Sequence, residues 1–295
     1  LMYQGRRMTD SIPNGLEGNT KSNAKSNAKS SIKDAFVGVF DSGIGGISVL
    51  KRLVTELPYE RFVFYGDSAH APYGSKTPQQ VQALSGAITD TFVDEGAKAI
   101  VIACNTATAA AAQMLRERYP QLPIVGVEPA LKPAALAYPQ GRIIVMATAR
   151  TLSLSKFLRL EAQWGATSQI IPIAGTGIVE LIEAGKANSS QMHDLLEKLI
   201  GQYRGTVDAV VLGCTHYPFI TRQIRAVLGD VDFYDGGTGA AQQLHRLLKT
   251  EDLLAQEPAA PFDTPLDQVE FRSSIVGSQE IELYKEFFLT PIEAC

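Results

Sequence analysis

The chain has 295 residues, of which 45% are hydrophobic and 20% are charged, and its formal net charge is -4. This composition is typical of a globular protein with about two domains, and it provides no general basic surface for nucleic acid. No stretch approaches the roughly 18 apolar residues of a membrane span, and the N-terminal segment lacks the apolar core of a secretory signal. We therefore expect a cytoplasmic protein with neither nucleic-acid nor membrane partners.

The first 34 residues are predicted to form a disordered tail. They contain the repeat SNAKSNAKS (22–30), which is rich in Ser, Asn and Lys. Such a segment has too little apolar surface to bury in a core. It is left out of the fold prediction.

From residue 35 onward, short apolar runs alternate with helical patterns, which is typical of βαβ units and a parallel sheet. Helices are predicted over 46–57, 77–96, 189–205 and 240–255, and a closing strand and helix over 269–275 and 279–288. The predicted strands fall into two series, 35–40, 61–66, 99–103 and 123–127, then 142–147, 168–173, 209–213 and 231–235.

The spacing of the strand ends predicts an internal duplication. Asp41 and Cys104 are 63 residues apart, and Ala147 and Cys214 are 67 apart. Each series therefore has a Cys after its third strand. We predict two similar doubly wound, flavodoxin-like α/β domains with the active site in the cleft between them. The first domain would comprise 35–128 and 240–295, and the second 129–239.

The first strand is followed by FDSGIGG (40–46), an acidic residue and a glycine-rich turn before a helix. Glycines permit close backbone approach, and the helix start offers N–H groups to an anion. The pattern is neither GxGxxG nor GxxxxGK[ST], so it favours no nucleotide. Asp41 fits two roles equally, that of a helix cap and that of a catalytic carboxylate.

Two similar phrases, AIVIACNTAT (99–108) and AVVLGCTHYP (209–218), end in Cys104 and Cys214. A helix that begins at either thiol would lower its pKa. The chain has no CxxC or HExxH and its four histidines are scattered, so we predict no metal site. A single Cys of this kind is usually only a small buried hydrophobe, and terminal Cys295 receives no role.

A pair of thiols on opposite walls of a cleft suits stereoinversion at carbon. One thiolate would remove a proton from one face while the other thiol delivers a proton to the opposite face. A cysteine protease needs only one Cys with a base, and a dithiol oxidoreductase usually has CxxC. The sequence thus favours two-base proton transfer over either alternative.

Five motifs together resemble the cofactor-independent aspartate/glutamate racemase family, and its glutamate-specific branch in particular. They are FDSGIGG, YGDSAHAPYG (65–74), ACNTAT, GVEPALKPA (126–134) and LGCTHYP. The resemblance runs from about residue 36 to the C-terminus. One departure is Gly236, where the family more often has Ser.

The resemblance implies roles for individual residues. Cys104 would act on D-glutamate and Cys214 on L-glutamate, assisted by Asp41 and His216, and Glu183 would be a further acidic helper. The residues implied to bind substrate are Asp41, Ser42, Tyr73, Gly74, Asn105, Thr106, Thr215 and His216.

The same resemblance implies that the enzyme uses no cofactor and supplies D-glutamate for peptidoglycan. His216 favours glutamate over aspartate, since aspartate racemases usually carry an acidic residue there. The alternatives left open are racemisation of aspartate or a hydantoin, and a non-catalytic protein that binds acidic amino acids. A homodimer is a further expectation, and activation by a cell-wall precursor is left open.

Overall fold

The computed structural model describes residues 32–258, 260 and 262–292. The predicted disordered tail falls almost wholly outside the described residues, as does Cys295. Within them, two parallel β-sheets are each covered by helices on both faces, as expected for alternating strands and helices.

The first sheet has five strands in the order β4-β3-β1-β2-β9. We call this sheet and its helices the first lobe. Its strands are β1 (Val37–Asp41), β2 (Phe62–Gly66), β3 (Ala99–Ile102), β4 (Ile124–Gly126) and β9 (Val269–Ser273), and its helices are α1 (Ile47–Glu56), α2 (Pro78–Asp94), α3 (Asn105–Arg118), α10 (Gly237–Thr250) and α11 (Ser278–Leu289).

The second sheet has four strands in the order β6-β5-β7-β8. We call this sheet and its helices the second lobe. Its strands are β5 (Arg142–Ala147), β6 (Gln169–Ala174), β7 (Ala209–Gly213) and β8 (Asp232–Asp235), and its helices are α4 (Leu131–Ala137), α5 (Ala149–Ser153), α6 (Ser155–Trp164), α7 (Ile178–Glu183), α8 (Ser190–Ile200) and α9 (Thr221–Leu228).

The strand order confirms the predicted fold and its duplication. If the first four strands of each lobe are numbered 1 to 4 along the chain, their spatial order in both sheets is 2-1-3-4. This is the flavodoxin-like arrangement, in which the order reverses between the first and third strands. The fifth strand of the first lobe, β9, instead pairs beside β2. The chain therefore returns to the first lobe after the second is complete, while the domain limits given above stay a prediction.

The central strands of each sheet, β1 and β3 in the first lobe and β5 and β7 in the second, are buried and almost wholly apolar. In β1 and β3, Val39 and Val101 face one core, with α1 and α10, while Phe40 and Ile102 face another, with α2 and α3. The alternation follows from the two-residue period of a strand. The second lobe has a corresponding pair of cores. The carboxyl ends of the strands are thereby fixed on rigid scaffolds.

The chain crosses from the second lobe back to the first at Gly236. A Cβ at this position would lie 2.1 Å from the carbonyl oxygen of Glu128. Glycine permits this close approach of the two crossing segments, whereas the serine common in the family would require the backbone to shift.

Candidate active site

Both cysteines lie where their sheets reverse strand order. Cys104 follows β3 after one intervening residue, Ala103, and Cys214 follows β7 directly. In open α/β sheets, ligands bind at this point beyond the carboxyl ends of the strands. The two thiols therefore occupy equivalent positions in the two lobes.

The two thiols line one cavity between the lobes. Its volume is about 20 Å³, which is room for roughly one water molecule. The lining residues are Ser42, Pro72, Tyr73, Gly74, Cys104, Asn105, Thr106, Thr148, Val179, Gly213, Cys214, Thr215 and His216.

Cys104 is the N-cap of α3 and is almost fully buried. Its Sγ accepts a hydrogen bond from the backbone N–H of Ala107 at 3.5 Å and lies 3.8 Å from Ser42 Oγ. Burial and the nearby Asp41 carboxylate raise the pKa of the Cys104 thiol well above its usual range. The surroundings of this thiol favour its protonated form.

Asp41, at the end of β1, holds the glycine-rich turn that follows it. Its Oδ2 accepts hydrogen bonds from the backbone N–H of Gly46 at 2.5 Å and from Thr215 Oγ1 at 3.2 Å. Its Oδ1 is buried and has no hydrogen-bond partner among the described residues. Burial raises the pKa of Asp41, although the nearby His216 opposes this rise. One oxygen thus holds the turn while the other is available for a proton.

Cys214 has a cationic neighbour where Cys104 has an anionic one. His216 Nδ1 lies 3.8 Å from Cys214 Sγ, and its Nε2 lies 2.6 Å from Glu183 Oε1. Burial alone would lower the pKa of His216, but the hydrogen bonds to Cys214 and Glu183 outweigh it and raise that pKa well above its usual range. Burial would likewise raise the pKa of Glu183, but the hydrogen bond from His216 outweighs it and lowers that pKa. The surroundings of the pair thus favour a protonated His216 beside an ionised Glu183.

The glycine-rich turn of the first lobe makes room for this pair from the second. A Cβ at Gly43 would lie 2.2 Å from Glu183 Oε1, and one at Gly45 would lie 2.3 Å from His216 Nδ1. Such contacts are far inside van der Waals distance. In addition, the backbone N–H of Ile44 donates to Glu183 Oε1 at 3.1 Å. The glycine-rich turn of the first lobe therefore packs closely against His216 and Glu183 of the second lobe.

Hydroxyl groups from both lobes meet on another wall of the cavity. Thr106 Oγ1 lies 3.1 Å from Thr148 Oγ1 and 3.2 Å from Thr151 Oγ1. Beside them, the Oδ1 atom of Asn105 is buried without a hydrogen-bond partner among the described residues. This wall thus presents neutral hydrogen-bonding groups to a bound molecule.

Tyr73 is buried, and its hydroxyl donates to Asp67 Oδ2 at 2.6 Å. The other oxygen of Asp67 lies 2.7 Å from His70 Nδ1. Burial raises the pKa of Tyr73, and the hydrogen bond to the Asp67 carboxylate adds to the rise. Tyr73 therefore remains a neutral hydrogen-bond donor.

The structure brings the predicted site residues together. All of them line the cavity except Asp41, which lies directly behind it, and Glu183, which contacts it through His216. Further residues at or beside the cavity were not predicted from the sequence, namely Asp67, Pro72, Thr148, Val179 and Gly213. Thr148 carried a usable signal, since it follows the carboxyl end of β5 as Ser42 follows that of β1.

The described residues contain neither a membrane-spanning helix nor a cluster of metal-binding side chains. No helix there is both long and apolar enough to cross a bilayer. No group of three His, Cys, Asp or Glu side chains there has a geometry suited to a metal ion.

Comparison with known proteins gives consistent relationships. The chain is 44% identical over 225 residues to a glutamate racemase of Clostridium perfringens, which covers 76% of this chain and 86% of that one. It is 45% identical over 226 residues to a glutamate racemase of Pseudomonas paraeruginosa, with coverage of 76% and 85%.

Among solved structures, the chain resembles the glutamate racemase of Francisella tularensis in complex with D-glutamate. The TM-score is 0.74 at 26% identity, covering 88% of this chain and 95% of that one. The profile of the Asp/Glu/Hydantoin racemase family matches residues 38–244. The chain therefore belongs to the Asp/Glu/Hydantoin racemase family, and its enzyme class is that of a racemase, an isomerase.

Proposed function

We propose that the protein is a glutamate racemase that interconverts L- and D-glutamate by proton transfer between the substrate and two cysteines, Cys104 and Cys214. The observation that carries this proposal is that two thiols, at equivalent strand ends of two lobes, line one cavity. The names of its relatives, and the D-glutamate complex of the Francisella tularensis enzyme, support glutamate as the substrate.

The charged groups beside the two thiols in this structure suit the conversion of L-glutamate to D-glutamate. The protonated His216 donates towards Cys214 Sγ and stabilises a thiolate there, while Cys104 keeps its proton. The Cys214 thiolate takes the α-proton of L-glutamate, and the C–H electron pair stays on the α-carbon. Cys104 then gives its proton to the opposite face, which yields D-glutamate, a Cys104 thiolate and a Cys214 thiol.

The reverse direction needs the opposite protonation of the pair. Asp41, with one buried oxygen that has no hydrogen-bond partner in the part of the chain that the structure describes, is the group that assists proton removal from Cys104. The Cys104 thiolate then takes the α-proton of D-glutamate. Each direction therefore starts from one thiolate and one thiol.

The hydrogen-bonding groups of the cavity suit an amino acid with two carboxylates. The start of α3, a 14-residue helix, presents backbone N–H groups and a positive dipole end to an anion. Thr106 and Thr215 offer hydroxyls, and Asn105 Oδ1 is an acceptor suited to the substrate ammonium group. Ser42, Tyr73 and Gly74 complete the proposed binding set.

A cavity of about 20 Å³ is too small for an amino acid, so glutamate binds only after the lobes move apart. Hydrogen bonds across the cleft, such as Ser48 Oγ to the carbonyl oxygen of Thr215 at 2.8 Å, then re-form around the substrate. Closure excludes water, which strengthens the electrostatic interactions at the reacting carbon. The proposed mechanism uses no cofactor, and its product would supply peptidoglycan synthesis.

Circular dichroism tests the proposal by following loss of optical activity from D-glutamate and, separately, from D-aspartate. We expect turnover of D-glutamate, incorporation of solvent deuterium at the α-carbon in deuterated water, and far slower turnover of D-aspartate. Faster turnover of D-aspartate than of D-glutamate would refute the proposed substrate and make aspartate racemisation the activity. Binding of glutamate without any turnover would make it a binding protein and refute the proposal.

A further inference from the structure

The loop that follows β2 brings Tyr73 and Gly74 to the cavity, yet it contains only two short 3-10 turns, Ser68–His70 and Tyr73–Ser75. We call residues 67–76 the β2 loop. On its inner side, Asp67 links the two turns through hydrogen bonds to His70 and Tyr73. The shape of the loop therefore depends on where Asp67 is held.

The outer side of the β2 loop is held by Tyr284, on the C-terminal helix α11. The Tyr284 hydroxyl lies 2.7 Å from Ser68 Oγ, 3.1 Å from Ser273 Oγ and 3.3 Å from the carbonyl oxygen of Gly66. The side chain is fully buried. A buried tyrosine hydroxyl needs such partners, because an unpaired one would lose its hydration without replacement.

The end of β2 is shaped to receive this hydroxyl. A Cβ at Gly66 would lie 2.1 Å from Tyr284 Oη, so only glycine permits the approach. A second tie lies alongside, where the backbone N–H of Ala69 donates to Ser274 Oγ at 2.9 Å. The closing βα unit of the chain thus holds the first turn of the β2 loop at two points.

We propose that Tyr284 is a positioning residue for substrate binding, which acts through Ser68 and Asp67 on Tyr73 and Gly74. It touches neither the cavity nor either thiol. This inference rests on the proposed function for the part that the β2 loop plays in holding substrate. It gives the C-terminal helix, more than 200 residues away in sequence from the β2 loop, a role in the affinity of the site.

Steady-state kinetics of Tyr284→Phe test the proposal. The variant keeps the ring in the core and removes only the hydroxyl. We expect KM to rise about 3- to 10-fold for both enantiomers, as for the loss of one hydrogen bond, with kcat changed by less than about twofold. Because the two enantiomers are equal in free energy, kcat/KM must fall by the same factor in both directions.

Tyr119→Phe is the matched control, because Tyr119 also lies in the first lobe and its hydroxyl donates to a carboxylate, Asp90, at 2.5 Å. It is remote from the β2 loop and should leave KM unchanged. Ser68→Ala should raise KM as Tyr284→Phe does, and the double variant should be no worse than either single one. Additive effects on KM in the double variant would contradict the proposal that Tyr284 acts through Ser68.

Amide hydrogen exchange separates positioning from general destabilisation. In Tyr284→Phe, we expect faster exchange in peptides that cover 67–76 and no change in those that cover α2 or α3. An unchanged KM, or faster exchange spread over the whole lobe, would overturn the proposal. The exchange experiment needs no activity. If the wild-type protein were inactive, the proposed function would be refuted. The exchange rates of 67–76 would still show whether Tyr284 anchors the β2 loop.

Discussion

At the scale of single residues, the two thiols are alike in position and opposite in electrostatic surroundings. Cys104 lies beside the buried carboxyl of Asp41, and Cys214 lies beside the imidazole of His216. The hydrogen bonds to Cys214 and Glu183 raise the pKa of that imidazole well above its usual range. In the proposed reaction, each enantiomer loses its α-proton from a different face, so each of the two thiols would need its own assisting partner.

Glu183→Gln tests the charged pair. Glutamine can still accept a hydrogen bond from His216 but carries no charge, so the pKa of His216 falls. His216 then loses its proton at a lower pH than in the wild type. The alkaline limb of the pH profile of kcat/KM for L-glutamate should therefore move to lower pH. At neutral pH we expect kcat/KM to fall about 10- to 100-fold, as for the loss of a charged hydrogen bond.

The control for this variant is Glu180→Gln, an exposed glutamate on the same helix, α7. It removes the same charge without a contact to His216 and should leave the pH profile unchanged. A pH profile of Glu183→Gln that matches the wild type would contradict the assigned role of the pair.

The sequence predicts the two cysteines better than residues whose role depends on tertiary contacts. Cys104 and Cys214 were found because an apolar run stops at each of them. Asp67 was missed because its partners, His70 and Tyr73, are set by the turns of the loop. The same holds for the fit of Glu183 against Gly43, which depends on how the two lobes meet and leaves no pattern in the sequence.

At the scale of elements, most predicted strands match the observed ones within two residues, because buried parallel strands are nearly continuous apolar runs. Helix limits were less accurate. α10 begins at Gly237 rather than residue 240, since Asp235 Oδ1 accepts a hydrogen bond from the Gly237 N–H at 2.6 Å and starts the helix early. α8 ends at Ile200 and continues as a short 3-10 turn.

Gly45→Ala tests whether catalysis needs the close packing of the glycine-rich turn against the second lobe. The new Cβ would lie 2.3 Å from His216 Nδ1 and 2.6 Å from Thr215 Oγ1, so one lobe or the imidazole must shift. A displacement of about 1 Å at a catalytic group can reduce the rate about 100-fold, and we expect kcat/KM to fall by that order with the fold retained.

The comparison variant is Gly239→Ala in α10, where an added Cβ would meet nothing within 4 Å. It should keep full activity, measured in the same circular dichroism assay. If Gly45→Ala were as active as Gly239→Ala, the close packing of the turn against His216 would have no part in catalysis.

At the scale of the whole molecule, a buried ion pair ties the returning C-terminal segment to the first lobe. Lys98 Nζ lies 2.6 Å from Glu60 Oε2, and both side chains are buried. Lys98 also donates to the carbonyl oxygen of Leu253 at 3.0 Å, and Glu60 accepts from the backbone N–H of Ala255 at 2.8 Å. The segment after α10 is thereby held against the starts of β2 and β3.

Glu60→Ala should lower the free energy of unfolding by about 3–5 kcal/mol, because it leaves the ammonium group of Lys98 buried and unpaired. Glu95→Ala removes a carboxylate that pairs with Arg272 near the surface, and it should change that free energy by about 0–1 kcal/mol. Denaturant unfolding measures both. Equal stabilities for the two variants would contradict the assigned importance of the buried pair.

The central claim is that each thiol serves one enantiomer, and α-proton exchange in the single-cysteine variants tests it most directly. In deuterated water, Cys104→Ala should not racemise, but its remaining Cys214 should exchange the α-proton of L-glutamate for deuterium and leave D-glutamate untouched. Cys214→Ala should do the reverse. Racemisation by either variant, or exchange of both enantiomers by one remaining thiol, would contradict the account.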